Sequence, residues 1–457
     1  MAKLWEKGYS LDDLIERFTV GNDYLLDRGL LVADCIASMA HARTIERAAY
    51  LTSDDADRLV AELVAIAGEA EAGDIEIPRE LEDGHTLIET RLTNTLGDAG
   101  KRIHTGRSRN DQVIAATRLY GREALWLLQD ACGELVTELL DTATEHEHTP
   151  MPGRTHTQVA MPSTVGLWAA SYAEALIDDL ELAVIARRMC DRSPLGSAAA
   201  YGVPLALDRE YTASLLGFER VQNNVLAVGN SRGKLESLVL DAVESIMLTL
   251  SKFAGDLILF SLPELGYFRL PRELCSGSSI MPQKRNPDAL ELLRARAGSV
   301  GGWASTVKNI IRSLPGGYNR DFQDTKEPFL RGLETGLLSL KVATRTVNRM
   351  EVNEEALRSA MVPELFATDA AFARVAEGHT FRDAYRHVGT HLDELEQWTA
   401  EDALQARTST GDTGNLNLQE ARSRLNSLLT SERTRRAQAS AALRKLTGRE
   451  FSIVPVH

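Results

Sequence analysis

The stretch Lys234–Leu262, KLESLVLDAVESIMLTLSKFAGDLILFSL, decides the fold. It contains no proline, and Leu235, Leu238, Ala242, Ile246, Leu250, Phe253 and Leu257 recur every three or four positions. At 3.6 residues per turn this spacing puts them on one face, so the segment predicts a long helix with a buried stripe.

Other segments follow the same rule. From Asp111 to about Glu147 the stripe is Ala116, Tyr120, Ala124, Leu128, Leu135 and Leu139; from Ser163 to Cys190 it is Val165, Trp168, Tyr172, Leu176, Leu180 and Val184. A fourth helix is expected from near Pro287, a favourable first-turn residue, to about Ser313, and a fifth from Pro328 to about Met350. The prolines cluster between these segments, where a ring that cannot continue a helix marks the connections. Residues 1–110 carry shorter helical patterns, such as Asp54–Gly68 behind a capping Ser53, with Asp74–Pro78 as a link. Residues 352–457 read as shorter helices with breaks at Gly411 and Gly414. The expected class is therefore all-α, in three helical domains: 1–110, a central long five-helix bundle over 111–358, and 359–457.

Composition narrows the function. The 457 residues are 44% hydrophobic and 25% charged, as in an ordinary soluble globular protein. A net charge of −14 with no basic block argues against a nucleic-acid partner. Cys35, Cys132, Cys190 and Cys275 fit neither disulfide nor metal spacing, which suits a reducing, cytoplasmic setting. Met1–Lys7 lacks the apolar run of a signal peptide, and no stretch is long and apolar enough to span a membrane. Glu145–His148 (EHEH) lacks a third ligand at regular spacing, so no metal is expected.

Four polar stretches sit at helix ends. His104–Gln112 (HTGRSRNDQ) places two arginines and an asparagine at a helix N-terminus, a ready anion site. Gly153–Gln158 (GRTHTQ) offers His156, whose proton affinity lies near neutrality. Cys275–Asp288 (CSGSSIMPQKRNPD) combines a flexible, hydroxyl-rich half with a cationic half, as a mobile catalytic loop would. Leu314–Glu327 (LPGGYNRDFQDTKE) adds a phenol, amides and an ammonium. Gly229–Lys234 resembles a phosphate loop but is one residue short and is followed by Leu235, not Ser or Thr. About 36 helical residues, roughly 54 Å, separate the first two stretches. If both serve one site, that site is shared between subunits.

With these stretches in view, the chain resembles argininosuccinate lyase, of the fumarase and aspartase superfamily. Gly277–Pro287 resembles the superfamily signature, while His104–Val113 (HTGRSRNDQV) and Tyr318–Glu327 (YNRDFQDTKE) resemble the argininosuccinate lyase branch. The resemblance runs from about Leu11 to at least Gly389 and includes Gly84-His85-Thr86 and Leu195-Gly196-Ser197. It implies a homotetramer with shared sites that cleaves argininosuccinate to arginine and fumarate, without a cofactor, in arginine biosynthesis. It further implies that Ser278 removes the proton, that His156 is the other catalytic residue, and that Glu291 pairs with it. Asn110, Thr155, Tyr318, Gln323 and Lys326 match substrate-binding positions, with Arg109, Lys284 and Asn286 for the carboxylates.

Three stretches depart from the commonest pattern of that family. Phe18–Asp23 (FTVGND) lacks the usual substrate-binding serine, with Gly21 or Asn22 in its place. Thr157–Pro162 reads TQVAMP, and Gln222–Glu236 reads QNNVLAVGNSRGKLE. They touch none of the proton-abstraction groups, but they bear on how the amino-acid half is held. Two rival readings follow: a fumarate-releasing lyase acting on another N-substituted aspartate, and a structural homologue without activity.

Overall fold

The structure, a computed structural model, describes residues 12–455. Met1–Lys7 and the start of the family resemblance at Leu11 lie outside the described residues. Nine helices of thirteen residues or more organise the described residues: α1 Leu31–Arg47, α2 Ser53–Ala72, α3 Gly84–Leu96, α4 Arg109–Glu145, α5 Val165–Cys190, α6 Lys234–Phe260, α7 Asp288–Ile311, α8 Lys326–Val347 and α9 Leu418–Thr447. The class is all-α, and the five expected long helices are α4 to α8. None of these helices is long and apolar enough to cross a membrane.

Local chemistry sets the helix ends. Ser108 and Asp111 form a capping box at the start of α4, each side chain bonding the other's end of the first turn. For α2 the cap is Thr52, whose hydroxyl accepts from Asp55 N, and not Ser53; the helix then runs four residues beyond Gly68. The segment expected to begin at Ser163 starts two residues later. Ser163 and Thr164 end a strand instead, and the Thr164 hydroxyl accepts from Leu167 N at 3.0 Å.

α4 is continuous over 37 residues despite Gly121 and Gly133. Both are sites of close approach: a Cβ at Gly121 would lie 2.9 Å from Phe329, and one at Gly133 would lie 2.7 Å from Leu429. The missing side chains let α8 and α9 pack onto α4, so these glycines act as packing notches and not hinges.

Two features differ from expectation. The region after residue 352 is not only short helices, because α9 spans 30 residues and packs on α4 and α5. Its Glu432 takes two 2.8 Å bonds from Arg187 and one of 3.2 Å from Trp126 Nε1. Asp191 joins the network, 2.9 Å from both Arg187 Nη1 and Arg435 Nε. Ahead of α5 lies an antiparallel hairpin, β1 (Pro150–Thr155) with β2 (Gln158–Thr164), pairing Pro150 with Thr164 and Thr155 with Gln158.

The order of elements defines two ends. α6 begins beside the C-terminus of α7 and the start of α8, where a Cβ at Gly233 would run into Ile311 and approach Thr325. That is also the end where α4 starts. At the opposite end α6 finishes at Phe260, packed on Tyr267, whose hydroxyl accepts from Arg154 of β1 at 3.0 Å. The Cys275–Pro287 loop follows at this second end and leads into α7, which runs back to the first.

Candidate active site

At the first end a cleft is lined by three acids, Asp23, Glu82 and Asp83, and by Arg109, Arg232, Arg320 and Lys326. Asn110, Tyr318, Gln323 and His85 complete much of its wall. Five of the expected substrate-binding residues (Arg109, Asn110, Tyr318, Gln323 and Lys326) therefore meet here, from two stretches more than 200 positions apart. Asn110 is in the first turn of α4, and its side-chain amide bonds no other described residue.

The cations of the cleft differ in what they already hold. Lys326 is buried between Asp23 at 2.6 Å and Asp27 at 2.5 Å. These carboxylates raise its pKa against the opposing effect of burial. Arg109 bonds Thr86 Oγ1 at 2.8 Å and lies 3.1 Å from Asp83. Arg320 donates to Thr19 O at 2.7 Å, and Gln323 donates to Thr19 O and Val20 O at 3.1 and 3.3 Å. The divergent Phe18–Asp23 stretch is thus laid along the rim by the YNRDFQDTKE segment. Arg107, expected beside Arg109 in an anion site, is instead buried behind the cleft and donates to Ser38 Oγ at 2.7 Å.

His85, within the Gly84-His85-Thr86 motif, lines the same cleft. Its Nδ1 lies 2.5 Å from Asp34, which also accepts from Gln112 Nε2 at 2.8 Å. Burial lowers the His85 pKa, but the Asp34 contact outweighs it and the net shift is upward. Asp23, Glu82, Asp83 and Arg232 were not singled out. Nothing in their local sequence marks them, except that Asp23 ends the divergent Phe18–Asp23 stretch and Arg232 falls within the divergent Gln222–Glu236 stretch.

The remaining expected residues lie at the opposite end. Thr155 closes β1, and His156 forms the hairpin turn with Thr157, both exposed. Their φ values of 53° and 62° are left-handed, a conformation that Asn-Gly turns adopt at little cost and a β-branched Thr157 does not. Backbone strain of this kind concentrates at functional sites. In the Cys275–Pro287 loop, paired backbone bonds between Ser276 and Asn286 at 2.9 and 3.0 Å close the neck. Asn286 Nδ2 also donates to Gly277 O at 3.2 Å. Ser278 Oγ accepts from the N–H groups of Ile280 and Met281 at 3.4 and 3.2 Å. Lys284 is exposed at the tip, and Glu291 is exposed in the first turn of α7. Within one chain, Ser278, His156, Lys284, Asn286, Glu291 and Thr155 are therefore separated from the cleft by the length of the bundle, about 54 Å along α4.

The lyase family matches residues 10–302. An argininosuccinate lyase from Sorangium cellulosum is 44% identical over 424 residues, 93% of this chain and 98% of that protein. The chain belongs to the argininosuccinate lyase family. The argininosuccinate lyase of Thermotoga neapolitana is 42% identical over 386 residues, covering 84% of this chain and 97% of its own. Among solved structures, EDDS lyase in complex with formate superposes with a TM-score of 0.80 at 22% identity, over 97% of this chain and 95% of that one. A fumarate lyase described as delta crystallin from Brucella melitensis superposes at 0.68 and 20%, over 94% and 93%. At such identities these two structures speak for the fold alone. Against the family's sequence pattern, the cleft at the start of α4 is built from the branch-specific stretches, and the loop at the far end from the superfamily signature.

Proposed function

We propose that this protein eliminates fumarate from argininosuccinate, releasing arginine, in arginine biosynthesis in the cytoplasm. The observation that carries the reading is the convergence of Arg109, Asn110, Tyr318, Gln323 and Lys326 on one cleft of mixed charge. Such a cleft suits a ligand that is itself zwitterionic, with an amino acid at one end and carboxylates at the other.

In this reading the active unit is a homotetramer. A cleft from one subunit is completed by the hairpin and loop of others, because α4 keeps the two halves of one chain apart. Ser278 Oγ takes the proton from the carbon beside a succinyl carboxylate. The electron pair passes into that carboxylate, and the double bond of fumarate forms as the bond from carbon to the guanidine nitrogen breaks. A serine oxygen that accepts two backbone N–H bonds is stabilised in its deprotonated form, which suits a base. His156, paired with Glu291, supplies the proton to the leaving nitrogen. Lys284, Asn286 and Arg109 hold the carboxylates, with Lys284 and Asn286 stabilising the charge that develops. Thr155 joins the substrate-binding set from the hairpin. Acid, base and carboxylate holders are all side chains, so the reaction is written without a cofactor.

The test is fumarate absorbance with argininosuccinate, adenylosuccinate and aspartate supplied in parallel. Fumarate from argininosuccinate alone is expected. Fumarate from adenylosuccinate, with none from argininosuccinate, would transfer the reaction to another N-substituted aspartate, and fumarate from aspartate alone would transfer it to the unsubstituted amino acid.

A further inference from the structure

Arg232 is the one buried cation of the cleft with no ion-pair partner among the described residues. It is 8% exposed, between the short helix Val225–Asn230 and the start of α6. Its guanidinium lies 5.5 Å from the ring centroids of both Tyr318 and Phe322. No described carboxylate comes within salt-bridge distance of it, whereas Lys326 has Asp23 and Asp27, and Arg109 has Asp83. Arg232 lines both the cleft and the small cavity beside it. Glu236 is the nearest acid in sequence. Burial pushes its own carboxyl up, and its Oε2 is itself enclosed without a partner. Burial likewise pulls the Arg232 pKa down.

An enclosed guanidinium without a counter-charge is costly, and two aromatic faces return only part of that cost. The position is held deliberately all the same. Gly233, at φ +73°, makes the left-handed turn into α6 against Ile311 and leaves Arg232 at the cleft wall. A binding site for an anion explains both the expense and the placement. Carboxylates are what a guanidinium recognises best, through paired hydrogen bonds.

We infer that Arg232 binds the α-carboxylate of the amino-acid half of the substrate, and so selects an α-amino acid as the departing amine. This rests on the reaction proposed above and names what in the divergent Gln222–Glu236 stretch holds that half. Tyr318, stacked beside Arg232, supplies a hydroxyl at the same place, and Asp23, Glu82 and Asp83 offer the α-ammonium a negative wall.

The experiment compares binding of L-arginine and of agmatine, the same guanidine without the carboxylate, by calorimetry to the wild type, Arg232→Met and Arg232→Lys. The wild type is expected to prefer arginine by on the order of 30-fold or more, the worth of a charge-assisted bond. Arg232→Met should bind both as weakly as the wild type binds agmatine, and Arg232→Lys should recover part of the preference. Without ligand, Arg232→Met should melt at or above the wild-type temperature, since it removes an unpaired buried charge. A purely structural arginine would give a lowered melt and equal losses for both ligands. That pattern overturns the inference, as does an undiminished preference in Arg232→Met or the absence of any preference in the wild type. Fumarate release from argininosuccinate by the wild type is run alongside. Its failure removes the proposed reaction, while the arginine preference still reports on Arg232.

Discussion

The separation of the two half-sites makes a quantitative prediction about mixed assemblies. Ser278→Ala disables the far-end loop, and Asn110→Ala removes an amide that bonds no other described side chain at the cleft. Each variant alone should lose at least about 100-fold in turnover, the cost of one positioned catalytic or binding group. Suppose now that the two are unfolded together at equal concentration and refolded, or co-expressed. α4 holds Asn110 and the hairpin end about 54 Å apart, so in the proposed tetramer a site takes its cleft from one subunit and its loop from another. A given cleft is native in half of the subunits and a given loop in the other half, so about one quarter of sites receive both native parts. Fumarate absorbance should therefore recover to about 25% of wild type from two nearly inactive parents. The recovery should follow the product of the two fractions as the mixing ratio is varied. If each site were built within one chain, no mixture would exceed its better parent, and that result would refute the shared-site reasoning.

Further outcomes follow from single residues. Ser278→Ala should abolish fumarate release while its melting temperature stays within about 2 °C of wild type, because the hydroxyl bonds only its own loop. Lys326→Met strands Asp23 and Asp27 in a buried pocket, and urea unfolding should register a loss of about 3–5 kcal/mol. Asp111 is almost wholly enclosed, and burial raises its pKa to about 6 despite N–H donors on Ser108 and Ala198. A raised carboxyl pKa favours folding at pH values below the unfolded pKa, and that contribution is lost as pH rises through about 6. Denaturant melts of wild type and Asp111→Asn should therefore differ by an amount that changes by up to about 3 kcal/mol between pH 4 and 7, with the wild type losing ground as pH rises.

What the sequence alone determined was whatever depends on neighbours along the chain. The 3.6-residue stripes marked α4 to α8 to within a few residues, whereas the cap of α2 expected at Ser53 falls one residue earlier, at Thr52. The motifs named the family, and the length of α4 alone implied that Asn110 and His156 of one chain cannot meet. α9 was obscured because its buried face carries Glu432, which reads as solvent-facing until Arg187 and Trp126 are brought against it. The β1–β2 turn was obscured because His156 and Thr157 adopt a conformation that neither residue favours locally. Arg232 was passed over as part of a failed phosphate loop. An arginine declares itself unpaired only when every carboxylate around it has been placed, and packing across the bundle alone decides that.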